Sequence, residues 1–323
     1  MKDISENELK QKQVRISDTL ILIIVAVLLL IVFSFTSQNF FTYANLSSML
    51  SNMVLAGILA IAMTPLIIAR GLDISFGASL SLATCVMAIL YNRGTNFYIL
   101  LIIGLLLPTF VGLINGLLAE TFNLIPLILT LGVSSILTAF SEVLTNGNSI
   151  PMLTDQLYVL GTKSFFKIPY TVLVLIAVIL VYWFILSYTK LGKKIYILGS
   201  NPIVARLSGI KVKQIKVLLY VMMGFITGIA SIVMVARSGI GYAYHGNNLT
   251  LPVLSALFLG GMSLSGGEGS MWKTIIGTII ISTIFTGLSL ANIEFYFIQI
   301  IQGFALVIIV AFYEVRAKKS LAK

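Results

Sequence analysis

Charge is what this chain has least of. Only 10% of its 323 residues are Asp, Glu, Lys or Arg, while 58% are hydrophobic. Soluble domains run nearer a quarter charged, and a mean hydropathy of +1.04 places the chain in a membrane. Cysteine occurs once, at Cys85 inside an apolar run, so no internal disulfide can form. Histidine also occurs once, at His245, which excludes a Cys/His metal cluster. No G-x-x-x-x-G-K-[ST] is present, and Gly161-Thr162-Lys163-Ser164 lacks the upstream glycine. The usual phosphate cradle of a nucleotide-hydrolysing engine is therefore missing. Asp73, Glu120, Glu142 and Glu268 fall near predicted helix ends or loops, so no buried acidic run offers a proton relay. An integral enzyme has no constellation behind it, and no catalytic or metal residue is assigned.

What the chain has instead is apolar length. About 20 apolar residues span a bilayer, and ten segments approach that measure: 19–35, 50–69, 74–91, 97–118, 125–144, 170–188, 217–236, 251–264, 272–291 and 295–313. The eighth is too short for a comfortable straight span. The fifth and eighth are candidates for bent or re-entrant segments, which are tolerated only where protein or water satisfies the backbone; the count would then be nine or eight. Residues 1–18 are polar, and no small-residue cleavage site follows the first run, which reads as a retained helix. The expectation is an all-α polytopic membrane protein with a tail at 1–18, a membrane domain at 19–313 containing a large loop at 189–216, and a second tail at 314–323.

A pI near 9.6 would suggest nucleic acid in a soluble protein. Here the basic residues sit beside helix ends, where they determine topology, and no nucleic-acid partner is expected. With the N-terminus inside, all but Arg93, Lys163, Lys167 and Arg237 of the 21 basic residues fall on the cytoplasmic side. Both termini are thus expected inside, N-in and C-in.

Within the helices, Gly112-x-x-x-Gly116 and Gly224-x-x-x-Gly228 are small-residue pairs of the kind that let backbones approach in lipid. Pro65, Pro108, Pro126 and Pro252 lie in or beside apolar runs and are expected to kink or unwind them.

Three motifs stand apart. In Arg70-Gly71-Leu72-Asp73-Ile74-Ser75-Phe76-Gly77-Ala78-Ser79, an aspartate at bilayer depth costs ~2.5–3.5 kcal/mol. Asp73 must lie at a helix end, face a polar cavity or be paired, and Arg70 is the nearest charge. It could also simply cap the third helix, with Ser75 and Ser79 in the first turns. The second motif, Leu259 to Ser270, is rich in glycine and serine. Set Gly261 against Gly71 and both motifs read Gly-apolar-polar-apolar-Ser-x-Gly, which hints at a duplicated unit or marks two independent turns. The third is the basic loop. Asn201-Pro202 predicts a short helix with Asn201 as cap and Pro202 at its first position. Ile203, Val204 and Leu207 would give it one apolar face, with Arg206 on the flank. Such a helix can insert into a groove on a soluble partner. Adhesion to anionic lipid would explain the lysines but not the punctuation by Gly192, Gly199, Asn201-Pro202 and Ser208-Gly209, so docking is preferred.

At these residues the chain resembles the membrane permease subunits of bacterial ATP-driven sugar importers of the ribose/galactose/autoinducer-2 type, in the branched-chain amino acid/sugar permease superfamily. RGLDISFGASLSL (70–82), TKLGKKIYILGSNPIVARLSGIKV (189–212) and LGGMSLSGGEGSMWKTIIGTII (259–280) carry the resemblance, in order, over nearly the whole chain. It implies an ABC importer in a bacterial cytoplasmic membrane: a second permease subunit, identical or homologous, cytoplasmic ATPases that carry ATP-Mg, and an external solute-binding protein. This chain would need no cofactor of its own. The resemblance places coupling to the ATPase on Gly192, Lys193, Gly199, Asn201, Ala205, Arg206, Ser208 and Gly209. It places a path or gate at Asp73, Ser75, Gly77, Ser265 and Gly267. Departures exist: Lys193 stands where arginine is usual, Ile197 and Val204 replace alanines, and Thr250 and Pro252 replace acidic residues of ribose-type members. The departures favour an autoinducer-2 or rhamnose type over ribose. A nucleoside or amino-acid importer permease and an ion-coupled secondary transporter stay open.

Overall fold

The structure is a computed structural model that describes residues 18–36, 38–263 and 266–321. The N-terminal tail with Lys2, Lys10, Lys12 and Arg15, the candidate gate residue Ser265, and Lys323 lie outside the described residues.

Thirteen helices occur among the described residues. In chain order they are α1 (Asp18–Thr36), α2 (Tyr43–Ile68), α3 (Phe76–Asn92), α4 (Phe97–Phe122), α5 (Pro126–Thr145), α6 (Asp155–Thr162), α7 (Tyr170–Tyr188), α8 (Lys190–Ser200) and α9 (Pro202–Leu207). After these come α10 (Val212–Ser238), α11 (Asn247–Leu259), α12 (Met271–Leu290) and α13 (Phe295–Leu321). All except α6, α8 and α9 coincide with the ten apolar runs. Six are long and apolar enough to cross a membrane by length and composition, and four more are shorter apolar helices. The boundaries have local causes. Thr42 and Asn96 cap α2 and α4, Pro126 opens α5, and Asn123 and Asn146 end α4 and α5 in the left-handed conformation.

One of the two unusual runs changes, and the other is as expected. The fifth run is one unbroken helix of 20 residues, α5, because its proline sits at the first position, where it is compatible with helix. The eighth is short, 13 residues, and is reached through a non-helical stretch, residues 239–246.

The bundle is an inverted repeat. One constant shift in numbering brings the ranges of α2–α5 close to those of α10–α13, aligning Arg70 with Gly239, Gly77 with Gly246 and Pro126 with Phe295. Arg70 (φ 63°) and Gly239 (φ 69°) both end their long helices in the left-handed region. Packing repeats too: α4 against α10 is matched by α12 against α2, α3 against α4 by α11 against α12, and α3 against α5 by α11 against α13. The halves meet where Gly77 touches Gly246; a Cβ on Gly246 would stand 2.0 Å from the Gly77 carbonyl oxygen. A duplicated unit therefore exists, but the counterpart of residues 71–77 is 240–246 rather than the Gly261 motif.

The core lies along α2, which is buried from Met53 to Ile68. Strand β1 (Ile150–Pro151) and the later β4 (Ile240–Gly241) pair antiparallel, while β2 (Ser164–Phe165) and β3 (Ile168–Pro169) form a hairpin beside α6. These elements cluster at the end opposite the basic loop. The two small-residue pairs face each other as α4 crosses α10. A Cβ on Gly112 would meet the Tyr220 carbonyl oxygen at 2.3 Å, and one on Gly224 the Pro108 oxygen at 2.3 Å. Gly224→Leu must push the two helices apart, an overpacking that costs about 1–3 kcal/mol. Its expected result is a lower midpoint of thermal unfolding in detergent.

Candidate functional site

The basic loop folds as the two short helices α8 and α9. Thr189 caps α8, its hydroxyl accepting from the Gly192 N–H at 3.3 Å. Asn201 caps α9, its Oδ1 accepting from the N–H groups of Ile203 (2.9 Å) and Val204 (3.2 Å), and Pro202 is the first helical residue. Ser208 ends α9, and Gly209 (φ 75°) turns the chain toward α10. Gly192 packs on the Ile185 and Leu186 carbonyls, and Lys193 is exposed. Ala205 is buried against the bundle, while Ile203, Val204 and Leu207 are 69%, 49% and 84% exposed. Beside α9, Arg206, Lys211, Lys213, Glu120 and Asn123 help line an open cavity of about 420 Å³. Lys216 and Glu120 pair at 3.0 Å nearby.

The base of this loop is tied to the bundle by the other two motifs. Arg70 does not pair with Asp73. Its Nε donates to the Gly199 carbonyl at 2.7 Å and its Nη2 to the Ser200 carbonyl at 3.1 Å, where the end of α8 presents unsatisfied carbonyls and partial negative charge. The Gly267 N–H donates to the Ile68 carbonyl at 2.9 Å, and the Tyr196 hydroxyl to the Gly269 carbonyl at 3.3 Å. Gly199 sits between these segments: a Cβ there would lie 2.0 Å from the Ile68 oxygen and 2.9 Å from Gly267 Cα. Three segments far apart in sequence thus share one knot.

From Arg70 the chain re-enters the bundle as an irregular stretch. The Tyr220 hydroxyl donates to the Leu72 carbonyl at 3.2 Å, and the Ile74 N–H to Thr130 Oγ1 at 3.1 Å. Asp73 Oδ1 accepts from the Ser75 N–H at 2.8 Å and the Ser75 hydroxyl at 2.6 Å. Asn115 Nδ2 reaches Ser75 Oγ at 2.8 Å and Asp73 at 3.4 Å. Asp73 and Ser75 are 3% and 0% exposed. Helix α3 opens after Ser75 without a side-chain cap, so Asp73 does not cap it. Non-helical backbone at membrane depth persists only when such partners are supplied, and here α4, α5 and α10 supply them.

The family described as "Branched-chain amino acid transport system / permease component" matches residues 45–310. The chain belongs to that permease family. The ribose import permease of Escherichia coli (strain K12) is 32% identical to it over 293 residues, 89% of this chain and 91% of the relative. That of Bacillus subtilis (strain 168) is 30% identical over 285 residues, 88% of each. The L-arabinose transporter permease of Azospirillum brasilense is 27% identical over 301 residues, 93% and 89%. No solved structure matches. With its apolar helices, this permease is a multi-pass membrane protein and a transporter subunit; in bacteria the membrane is the inner one.

In this permease the coupling candidates gather around α8 and α9, and Gly267 joins them there. Asp73 and Ser75 form a separate buried group, and Gly77 lies at the contact between the repeats. Sequence reasoning missed Asn115, Thr130 and Tyr220. The signal for Asn115 was an amide inside an otherwise apolar run. Asn115→Leu leaves Ser75 and Asp73 short of a buried donor and is expected to cost about 1–3 kcal/mol, read as a lower unfolding midpoint in detergent.

Proposed function

We propose that this permease forms the path of an ATP-driven importer for a monosaccharide or sugar-like small solute, powered by separate ATP-binding-cassette subunits that seat on α8 and α9. The observation that carries the reading is the outward face of Ile203, Val204 and Leu207 on a helix whose base is knotted to the re-entrant bend at 71–75. Three exposed aliphatic side chains beside a basic cavity suit an apolar groove with an acidic rim on a soluble partner. Closure of the ATPases on ATP would pull α9 and, through Arg70, Gly199 and Gly267, tilt the ends of α2 and α12.

Sugar as cargo is supported by relatives named for ribose, L-arabinose and D-allose, which do not single out one sugar. A second permease subunit, identical or homologous, and an external solute-binding protein would complete the assembly in the lipid bilayer. The bend at Asp73, Ser75 and Gly77, with Gly267, would act as its gate hinge. In vesicles carrying the full importer, uptake of radiolabelled ribose, L-arabinose or D-allose is expected to require internal ATP. Competition by leucine or uridine, with no competition among the sugars, would instead favour an amino-acid or nucleoside importer.

A further inference from the structure

The two bends of the inverted repeat differ in one respect. In the first, Asp73 and Ser75 are sealed inside and hydrogen-bonded. In the second, the polar side chains face out of the bundle. Tyr244 is 38% exposed, Asn247 and Asn248 are exposed, and Tyr242 and His245 are half-buried. His245 Nδ1, by contrast, is buried and has no hydrogen-bond partner. Gln299 of α13 donates its Nε2 to Asn248 Oδ1 at 3.3 Å. The Tyr242 ring stands 5.6 Å from that of Tyr244 and 5.8 Å from that of His245.

This group sits deep. Gly241 packs on Thr84 and Ala88, and the Gly246 N–H donates to Ser81 Oγ at 2.8 Å. At about 1.5 Å per helical residue, the Gly77–Gly246 contact lies roughly 22 Å along α3 from Asn92, and α11 runs about 20 Å further to the basic end. The cluster is therefore near mid-depth. Irregular backbone at this depth needs protein or a water-filled cavity around it. Packing on α3 covers Gly241 and Gly246, while the exposed Tyr244, Asn247 and Asn248 would be costly against hydrocarbon and are suited to a water-filled cavity.

We infer that the Tyr242–Asn248 bend, together with Gln299, is a solute-binding station in the translocation path, built for a neutral polyhydroxylated molecule. The inference rests on the sugar-importer reading and assigns it a site. Each amide offers both donor and acceptor, as paired hydroxyls require. Tyrosine rings supply flat apolar area against the C–H face of a sugar ring, with a hydroxyl at the edge. No Asp, Glu, Lys or Arg occurs between Gly239 and Leu259, so an amino acid would find no counter-charge here.

The test uses the full importer in vesicles on a Cys85→Ala background, with Tyr244→Cys or Asn248→Cys added. A charged, membrane-impermeant methanethiosulfonate should label both cysteines, and whichever of ribose, L-arabinose, D-allose, D-galactose, L-rhamnose or autoinducer-2 is transported should slow that labelling. Asn248→Ala and Gln299→Ala importers, shown assembled by co-purification with the ATPase, should raise KM for that sugar at least tenfold. A wild-type importer that takes up none of ribose, L-arabinose, D-allose, D-galactose, L-rhamnose and autoinducer-2 sinks the sugar reading. Wild-type uptake with no labelling at either position, or with KM within twofold in both alanine variants, overturns the station itself.

Discussion

Placing two carboxylates on the outward face of α9, as Ile203→Asp with Leu207→Asp, is expected to abolish stable association with the ATPase. Both side chains are exposed, at 69% and 84%, so the permease itself should fold and purify as before. Burying an aliphatic side chain of this size in a partner groove contributes about 1.5–3 kcal/mol. Losing two and leaving charges at the interface removes at least ~3 kcal/mol, a hundredfold or more in affinity. Co-purification of tagged permease with its ATPase measures this. If α9 served only to adhere to anionic lipid, the same variant would keep its ATPase and lose vesicle binding.

Arg70→Met should produce a different phenotype. Methionine keeps an apolar stem but removes both hydrogen bonds to the end of α8, each worth about 1.5–3 kcal/mol when the donor is charged. The docking face of α9 is untouched, so the ATPase should remain bound and continue to hydrolyse ATP. Solute uptake per ATP should fall at least tenfold, because movement of α8 no longer reaches the bend at 71–75. Gly199→Val should share the phenotype, since its side chain must displace the Ile68 carbonyl or Gly267. Coupled uptake in both variants would mean that the knot does not transmit motion.

Ten of the thirteen described helices were legible in the sequence because each coincides with an apolar run that hydropathy marks. The cap of α9 was equally plain, since Asn201-Pro202 acts locally. What could not be read was tertiary. Nothing near Arg70 in sequence announces the Gly199 and Ser200 carbonyls, and Asp73 looked like the obvious partner. The repeat was sensed through the wrong pair of motifs. Its halves share helix lengths and left-handed ends, but Leu72-Asp73-Ile74-Ser75 and Gly241-Tyr242-Ala243-Tyr244 share no residue types, so a search for matching letters passes over it. Asn248 and Gln299 lie 51 residues apart and meet only in the fold, so nothing local in the sequence joins them.

In the proposed mechanism, motion driven by ATP in a separate subunit enters through α8 and α9 and reaches the bends within the membrane. The most direct measurement is sugar uptake into proteoliposomes, comparing the assembled importer with the isolated chain. Uptake is expected only for the assembly and only with ATP on the side of the basic loop. Accumulation by the isolated chain under a proton or sodium gradient, without ATP, would contradict it.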